Sequence, residues 1–461
     1  GIGGGNYDGL LIGSDDFFSD GVNNAVLIRR ASMNSHNWFG AISNLEYEGE
    51  NLKTSIGIDL RKYTGYHYRA LNNLMGLDAY YMAGNQNSAG RIIQTKIAAS
   101  PFRNTGLAGP KIDYYNIGYV DWQGVNGLVE YSTDNNSLTA VIQGGVSNQG
   151  FQREDTFDQP NNPLSEKVNQ LGGYIKGGAN YNLSETMNVF FNTGFISRQP
   201  LFDAVFPNFA NEVNPDLQNE KIVSFEIGYG YIGSDLDVKI NAYSTTWGNR
   251  FVTQSFPISG GGFGTAQFKD VDVLHQGIEV EADYRVNNAL KFTGMLSAGN
   301  WRYTKNFEAT LFDDNNNEIG TGVLYTKDVK VGDAAQFTSN LGAEYRIGKF
   351  IVDGSYRYVD NLYADYSITD DAFTNPDNKG ALKLPSFGLF DLGTTFNFDL
   401  LGNSASLRVN VNNVFNTLYI AESNTNIHTT TNSQTWNGVD NRNSVWFGFG
   451  RTWNASLKYN F

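Results

Sequence analysis

Four histidines are the side chains of this sequence best suited to hold a transition metal or a haem, because neutral imidazole is a common metal ligand. They are His36, His67, His275 and His428, and no pair has the close spacing, such as His-x-x-x-His, that would bring two rings together. Cys 0 also removes thiolate ligands and disulfides. We therefore expect scattered loop histidines, no metal centre and no bound cofactor.

Two further patterns have functional and structural interpretations. The run DDNNNE at 313–318 clusters the oxygen ligands that calcium prefers, but it lacks the glycine at the sixth position of a helical calcium loop. A solvated turn is the better interpretation. No nucleophile stands at a recognisable spacing from a base, so we do not expect an enzyme, although loops from distant segments could still assemble a hydrolase site.

The elements that must position these residues show a period of two, which is typical of half-buried β-strands. The chain ends in RTWNASLKYNF, where apolar and polar residues alternate as far as Phe461. If the apolar residues of this strand face lipid, odd or even residue number decides which side chains face lipid, and the same rule applies to other alternating segments. The predicted lipid-facing sets are the even-numbered residues of 236–242, 278–284 and 392–398 and the odd-numbered residues of 405–411 and 453–461.

Composition and connection lengths favour a membrane barrel over a soluble sandwich. The 461 residues include Gly 51, Phe 31 and Tyr 26, and no run is long and apolar enough for a membrane-spanning helix. A net charge of -14 argues against nucleic acid as a partner. Short turns such as TDNNS alternate with long connections rich in Asn, Gly and Tyr, as in outer-membrane barrels.

This alternation gives about fifteen strands, an odd number. Single-chain bacterial barrels close with an even number of strands, because an open edge is not tolerated in lipid. We therefore predict an all-β, transmembrane antiparallel barrel of which residues 31–461 are the C-terminal part. Residues 1–30 are expected to be the remnant of an extracellular loop.

Four segments resemble TonB-dependent receptors of the bacterial outer membrane, in the order that the family has them. They are NPDLQNEKIVSFEIGYG (214–230), HQGIEVEADYR (275–285), LPSFGLFDLG (384–393) and VNVNNVFNTLY (409–419). The resemblance covers the last half to two thirds of the chain, and it implies a barrel of about 22 strands with a plugged lumen. Nothing in this sequence resembles the family's plug domain or its energy-coupling segment.

The resemblance implies a function in uptake across the bacterial outer membrane. The solute would be scarce, such as a siderophore, a metal complex, a vitamin or a glycan, and TonB would engage a missing N-terminal segment. Outer-membrane lipid, the barrel-assembly machinery and a surface lipoprotein are the other expected partners, with the C-terminus in the periplasm. The alternative function is a passive porin, or a structural barrel within a larger outer-membrane complex. A plug domain with a coupling box in the full-length protein would support the transporter, and its absence would support the alternative.

Candidate site residues come from two sources. The resemblance implies that the assembly machinery reads Leu457, Tyr459 and Phe461 as a C-terminal signal. Parity counted from the lipid-facing sets turns Trp247, Trp301 and Trp446 inward, where the rings could contact a solute or a plug. A β-bulge could instead return them to a lipid-side girdle. The aromatic run YTGYHYRALNN adds possible ligand contacts at Tyr66, His67 and Tyr68.

Overall fold

Long antiparallel strands make up most of the protein. The computed structural model describes residues 2–6, 11–13, 25–74, 79–82, 90–95, 109–155, 157, 159, 161–258, 263–313, 317–366 and 371–460. Seventeen strands join in one sheet of barrel form. In chain order they are β1 (Arg29–Glu48), β2 (Leu52–Asn73), β3 (Ile112–Ser132), β4 (Leu138–Glu154), β5 (Val168–Asn182), β6 (Met187–Arg198), β7 (Glu220–Ile232), β8 (Leu236–Pro257), β9 (Phe263–Arg285), β10 (Leu290–Tyr303), β11 (Phe307–Phe312), β12 (Glu318–Leu324), β13 (Ala335–Ile347), β14 (Phe350–Leu362), β15 (Phe387–Leu400), β16 (Asn403–Asn412) and β17 (Thr452–Tyr459).

Two of the seventeen strands do not belong to the barrel wall. Strands β11 and β12 form a hairpin that pairs with the far end of β9, while β10 continues directly to β13. Removing this hairpin from the seventeen leaves fifteen wall strands, as the sequence predicts. Wall strands are joined by tight turns at one end of the barrel and, apart from the five-residue connection between β8 and β9, by long connections at the other. We call these the short-turn end and the long-loop end.

The strand registers keep the apolar residues on one face of the wall. Ile240 stands opposite Val280, and Val280 opposite Leu296. Further along the sheet, Leu407 stands opposite Leu457. Because side chains alternate along a strand, this alignment produces a continuous apolar face and, behind it, a polar interior face. The predicted all-β fold and its lipid-facing parity sets agree with this arrangement.

The junction of β1 and β17 differs from the rest of the wall. The strand order closes the barrel by placing these two strands side by side. Residue-level registers, however, join β1 to β2 and β17 to β16, and none joins β1 to β17 in the described residues. Trp38 on β1 is 65% exposed and Trp453 on β17 is 75% exposed. In the part of the chain that the structure describes, the two strands are therefore adjacent without a ladder of bonded residue pairs between them, and we call this junction the seam.

The long connections are folded segments with their own hydrophobic clusters. Residues from 2–27 and from the β2–β3 connection form a separate five-stranded sheet, and two short hairpins lie between β16 and β17. The strands of these elements are Ile2–Asn6, Leu11–Gly13, Ala25–Leu27, Ala79–Met82, Arg91–Ile93, Ile420–Ser423, Thr435–Trp436, Val439–Asp440 and Val445–Phe447. Among the described residues the helical pieces are single turns, too short to cross a membrane as helices.

Candidate solute-binding site

The connection between β6 and β7, residues 199–219, covers part of the barrel interior at the long-loop end, and we call it the cap segment. It contains a one-turn helix at Phe202–Val205 and a 3₁₀ turn at Pro207–Phe209. Phe202 lies against Gly118 on β3, where an added Cβ would lie 3.1 Å from the phenyl ring. Glycine at this position therefore lets the ring lie against bare backbone.

Polar and apolar contacts both anchor the cap segment. At its start, Gln199 donates to the carbonyl oxygen of Ser147 (3.0 Å) and to its hydroxyl (2.8 Å). At its end, Asn219 donates to the Ser197 hydroxyl at 2.8 Å. Between them, Val205 and Phe206 are buried in a cluster with Phe151 of β4. The segment is therefore fixed at both ends and in the middle.

A cavity of about 750 Å³ lies between the cap segment and strands β2, β3 and β4. This volume falls within the ordinary range for small-molecule sites. Its lining is mainly aromatic, with a few polar groups among the rings. The lining residues are Tyr63, His67, Tyr114, Asn116, Gly118, Val120, Arg153, Phe202, Asp203, Phe206 and Phe209.

The polar and charged groups around this cavity differ in whether protein partners already bind them. Arg153 is buried, and it donates to Asp155 and to Asn211, at 2.7 Å in both cases. Its charge is therefore already matched by Asp155. Asp203 of the cap segment is exposed on the cavity, while the His67 Nδ1 lies 2.9 Å from the Asn34 amide oxygen. The cavity thus offers flat apolar surfaces together with a small number of hydrogen-bonding groups.

Phe209 presents its ring to this space from a strained backbone. Asn208 and Phe209 have φ angles of 59° and 57°, a region that bulky residues rarely adopt. The Phe209 side chain is 80% exposed although it lines the cavity. Strained residues of this kind are concentrated at binding sites, where the surrounding structure holds them in place.

A second aromatic group lies on the interior face of β8. The register between β8 and β9 is unbroken from Leu236 to Trp247, so Trp247 keeps the parity opposite to the apolar face. Its indole nitrogen donates to Glu220 at 3.1 Å, and Glu220 also pairs with Arg198 at 3.3 Å. The bulge that could have turned this ring outward begins only after Trp247.

Trp301 is held on the same interior face. The β9–β10 register has no shift between Arg285 and Val273, which preserves the inward parity of Trp301. Its indole nitrogen donates to the Tyr243 hydroxyl at 3.0 Å, and the His275 ring centroid lies 5.7 Å away. Trp247 and Trp301 therefore lie inward, as the parity argument expects, and solute contact stays a prediction.

The other residues proposed from the sequence are more dispersed. His67 lines the cavity, but Tyr68 is 0% exposed and packs against Tyr115, with Tyr66 beside them. Trp446 belongs to a short hairpin strand, not to β17, so parity counted along β17 does not reach it. Leu457 and Tyr459 fall on β17, whereas Phe461 lies outside the described residues.

The four histidines do not come together as a ligand set. His36 and His67 both lie near Tyr63, His275 lies beside Trp301, and His428 contacts the Gly380 carbonyl at 2.9 Å. In the described part of the chain, no group of three or more His, Asp or Glu residues could hold a metal ion. Of the run 313–318, residues 314–316 lie outside the described residues.

The cap segment is the part of this site that sequence analysis missed. This connection, which contains Phe202, Phe206 and Phe209, shows no strand periodicity. It directly precedes the segment 214–230, which the sequence analysis used only for its resemblance to the family. An aromatic residue every three or four positions, in FDAVFPNF, was the available signal. It predicts a helical turn with one apolar side that must be covered.

A barrel with an apolar outer face, a polar interior and folded long loops at one end defines an outer-membrane β-barrel protein. The sequence profile of the family described as TonB dependent receptor-like, beta-barrel, matches residues 2–414. The chain belongs to this family. A search of the curated proteins finds no match.

Solved structures share the fold at low sequence identity. "Copper transporter OprC" is 14% identical with a TM-score of 0.62, and the match covers 94% of this chain and 57% of that one. The unliganded "ferric citrate transporter FecA" is 12% identical with a TM-score of 0.60, covering 94% and 56%. BauA, the "Ferric preacinetobactin receptor from Acinetobacter baumannii", is 14% identical with a TM-score of 0.56, covering 95% and 56%. The chain thus spans somewhat more than half the length of these proteins.

Proposed function

We propose that this chain forms the wall and the solute-binding end of a TonB-coupled transporter in the bacterial outer membrane. The observation that carries the proposal is the aromatic cavity at the long-loop end, enclosed by a cap segment that folds inward. The barrel binds and guides a scarce solute and performs no chemistry on it. Siderophores, metal complexes, vitamins and glycans are the candidate classes, and the transported solutes named for the structural relatives favour metal complexes.

We also propose an orientation and a set of partners, by analogy with the family. The long-loop end faces the outside, and the short-turn end with the C-terminus faces the periplasm. An N-terminal plug segment occupies the interior and engages TonB, the assembly machinery reads Leu457, Tyr459 and Phe461, and a surface lipoprotein covers the long loops. Residues 1–30 belong to the long-loop end, and further strands of the full-length receptor occupy the seam between β1 and β17.

Uptake measured in cells tests this proposal. Cells that express the full-length receptor should accumulate a labelled metal complex or vitamin only while the inner-membrane ion gradient is maintained. Replacing residues 200–218 by a short Gly-Ser linker should abolish this uptake. The matched control shortens the turn TDNNS (133–137) at the opposite end and should preserve uptake. Entry that continues without the gradient would identify a passive pore and overturn the proposal.

A further inference from the structure

Strand β8 contains a β-bulge just beyond Trp247. Its register with β9 shifts between Trp247 and Arg250, and again between Arg250 and Val252. Asn249, with φ of 57°, donates its backbone N–H to Asp272 at 2.9 Å. Gly248 permits this approach, because an added Cβ would lie 2.9 Å from the Asp272 carboxylate. The bulge is therefore held in place by the hydrogen bond from Asn249 to Asp272 and by the close approach that Gly248 allows.

The bulge changes the direction of the Arg250 side chain. Arg250 is even-numbered, so in an unbroken strand it would share the apolar face with Ile240. Instead its guanidinium carbon lies 4.8 Å from the centroid of the Trp247 ring on the interior face. Bulges often re-aim a side chain next to a functional site. The residue re-aimed here is a permanent cation.

Arg250 differs from its neighbours in its ion pairing within the part of the chain that the structure describes. Glu220 already accepts from Arg198 and from the Trp247 indole. On β10 and in the connection after it, Arg302 pairs with Asp328 at 2.8 Å and Lys305 with Asp272 at 2.9 Å. Within the described residues, no Asp or Glu forms an ion pair with Arg250, although the residue is partly buried. A partly buried guanidinium without a counter-ion is well suited to bind one.

We propose that Arg250 and Trp247 form an oxyanion subsite on the interior wall, which binds a carboxylate or phosphate group of the solute. The guanidinium offers parallel N–H donors, and the indole face supports the flat part of the same solute. Tyr243, further along β8, and Trp301, on β10, lie on the same interior face and are joined by a hydrogen bond. The inference rests on the proposed function, to which it adds an anionic class of solute.

Quenching of tryptophan fluorescence tests the subsite without knowledge of the natural solute. The full-length receptor in detergent is titrated at low salt with iodide, an anion, and with acrylamide, a neutral quencher. Trp247→Phe identifies the Trp247 contribution by difference. Arg250→Gln should reduce iodide quenching of Trp247 about fourfold, as expected for one charge at about 5 Å even in water. Quenching by acrylamide should not change.

Two comparisons make the result specific. Arg302→Gln removes the same charge from a cation that already has a partner, and iodide quenching of Trp247 should stay at the wild-type level. Benzoate or phenyl phosphate should protect Trp247 from iodide in the wild type, whereas benzamide, their neutral analogue, should not.

Equal iodide quenching in wild type and Arg250→Gln would overturn the subsite, as would the absence of protection by both anions. A protein carboxylate already seated on Arg250 would give the same negative result. Quenching is measured independently of uptake. The subsite proposal can therefore be refuted while the transport proposal stands, and the transport proposal can be refuted while the subsite proposal stands.

Discussion

Replacing Phe206 by alanine should open the cap segment without unfolding the barrel. Phe206 is 3% exposed, and its ring centroid lies 5.1 Å from that of Phe202. Loss of a buried phenyl group costs about 3–5 kcal/mol. The whole cost falls on the local closing equilibrium, because the cap segment forms none of the wall ladders. At about tenfold per 1.4 kcal/mol, the open population should rise at least about a hundredfold.

Hydrogen exchange measures this opening directly. The Phe206 N–H donates to the Phe202 carbonyl at 3.0 Å, and the Asn214 N–H to the Val205 carbonyl at 2.9 Å. Both amides should exchange about a hundredfold faster in Phe206→Ala, while amides in the wall strands keep their rates. Phe209→Ala is the matched control, since it removes the same ring from an 80% exposed position. Equal acceleration in both variants, or none in either, would refute the assignment of Phe206 as the anchor.

Three further predictions concern other parts of the molecule. Ile240→Lys should weaken folding into lipid vesicles by about 2–4 kcal/mol in denaturant titrations, whereas Asn241→Lys, on the interior face, should have little effect. Burial, followed by the effect of Asp113, raises the pKa of Tyr80 to about 12, so the stability that Tyr80 contributes should be complete below pH ~10 and be lost towards pH 12. Comparison of tyrosinate absorbance in wild type and Tyr80→Phe checks this titration. Removing the buried cation with Arg153→Met should destabilise the adjoining loops by about 3–5 kcal/mol in a proteolysis assay, and adding Asp155→Leu should restore much of that loss.

The wall of the barrel could be predicted from the sequence because strand periodicity is a local property. Ile240 and Leu407 alternate with polar neighbours over several residues, and lipid requires this alternation on every wall strand. The inward parity of Trp247 and Trp301 followed from the same rule, since no shift of register intervenes. The loops could not be predicted in this way. Phe206 is buried through contact with Phe151, which lies some fifty positions earlier in the chain, and no periodic pattern encodes such a contact.

Arg250 shows how a local parity rule can fail at a point of functional interest. Counting from Leu236 assigns this arginine to the apolar face, where a charge is unfavourable to a degree that depends on its depth in the membrane. The sequence carries a sign of the exception, because Gly248 and Asn249 are residues that tolerate the positive φ of a bulge. The sequence does not reveal that the Asp272 carboxylate, on the neighbouring strand, accepts a hydrogen bond from the Asn249 N–H and so fixes the bulge. Asp272→Asn would keep the hydrogen-bond acceptor and should keep Arg250 over Trp247. Asp272→Ala would remove the acceptor, and it should therefore reduce iodide quenching of Trp247 as Arg250→Gln does.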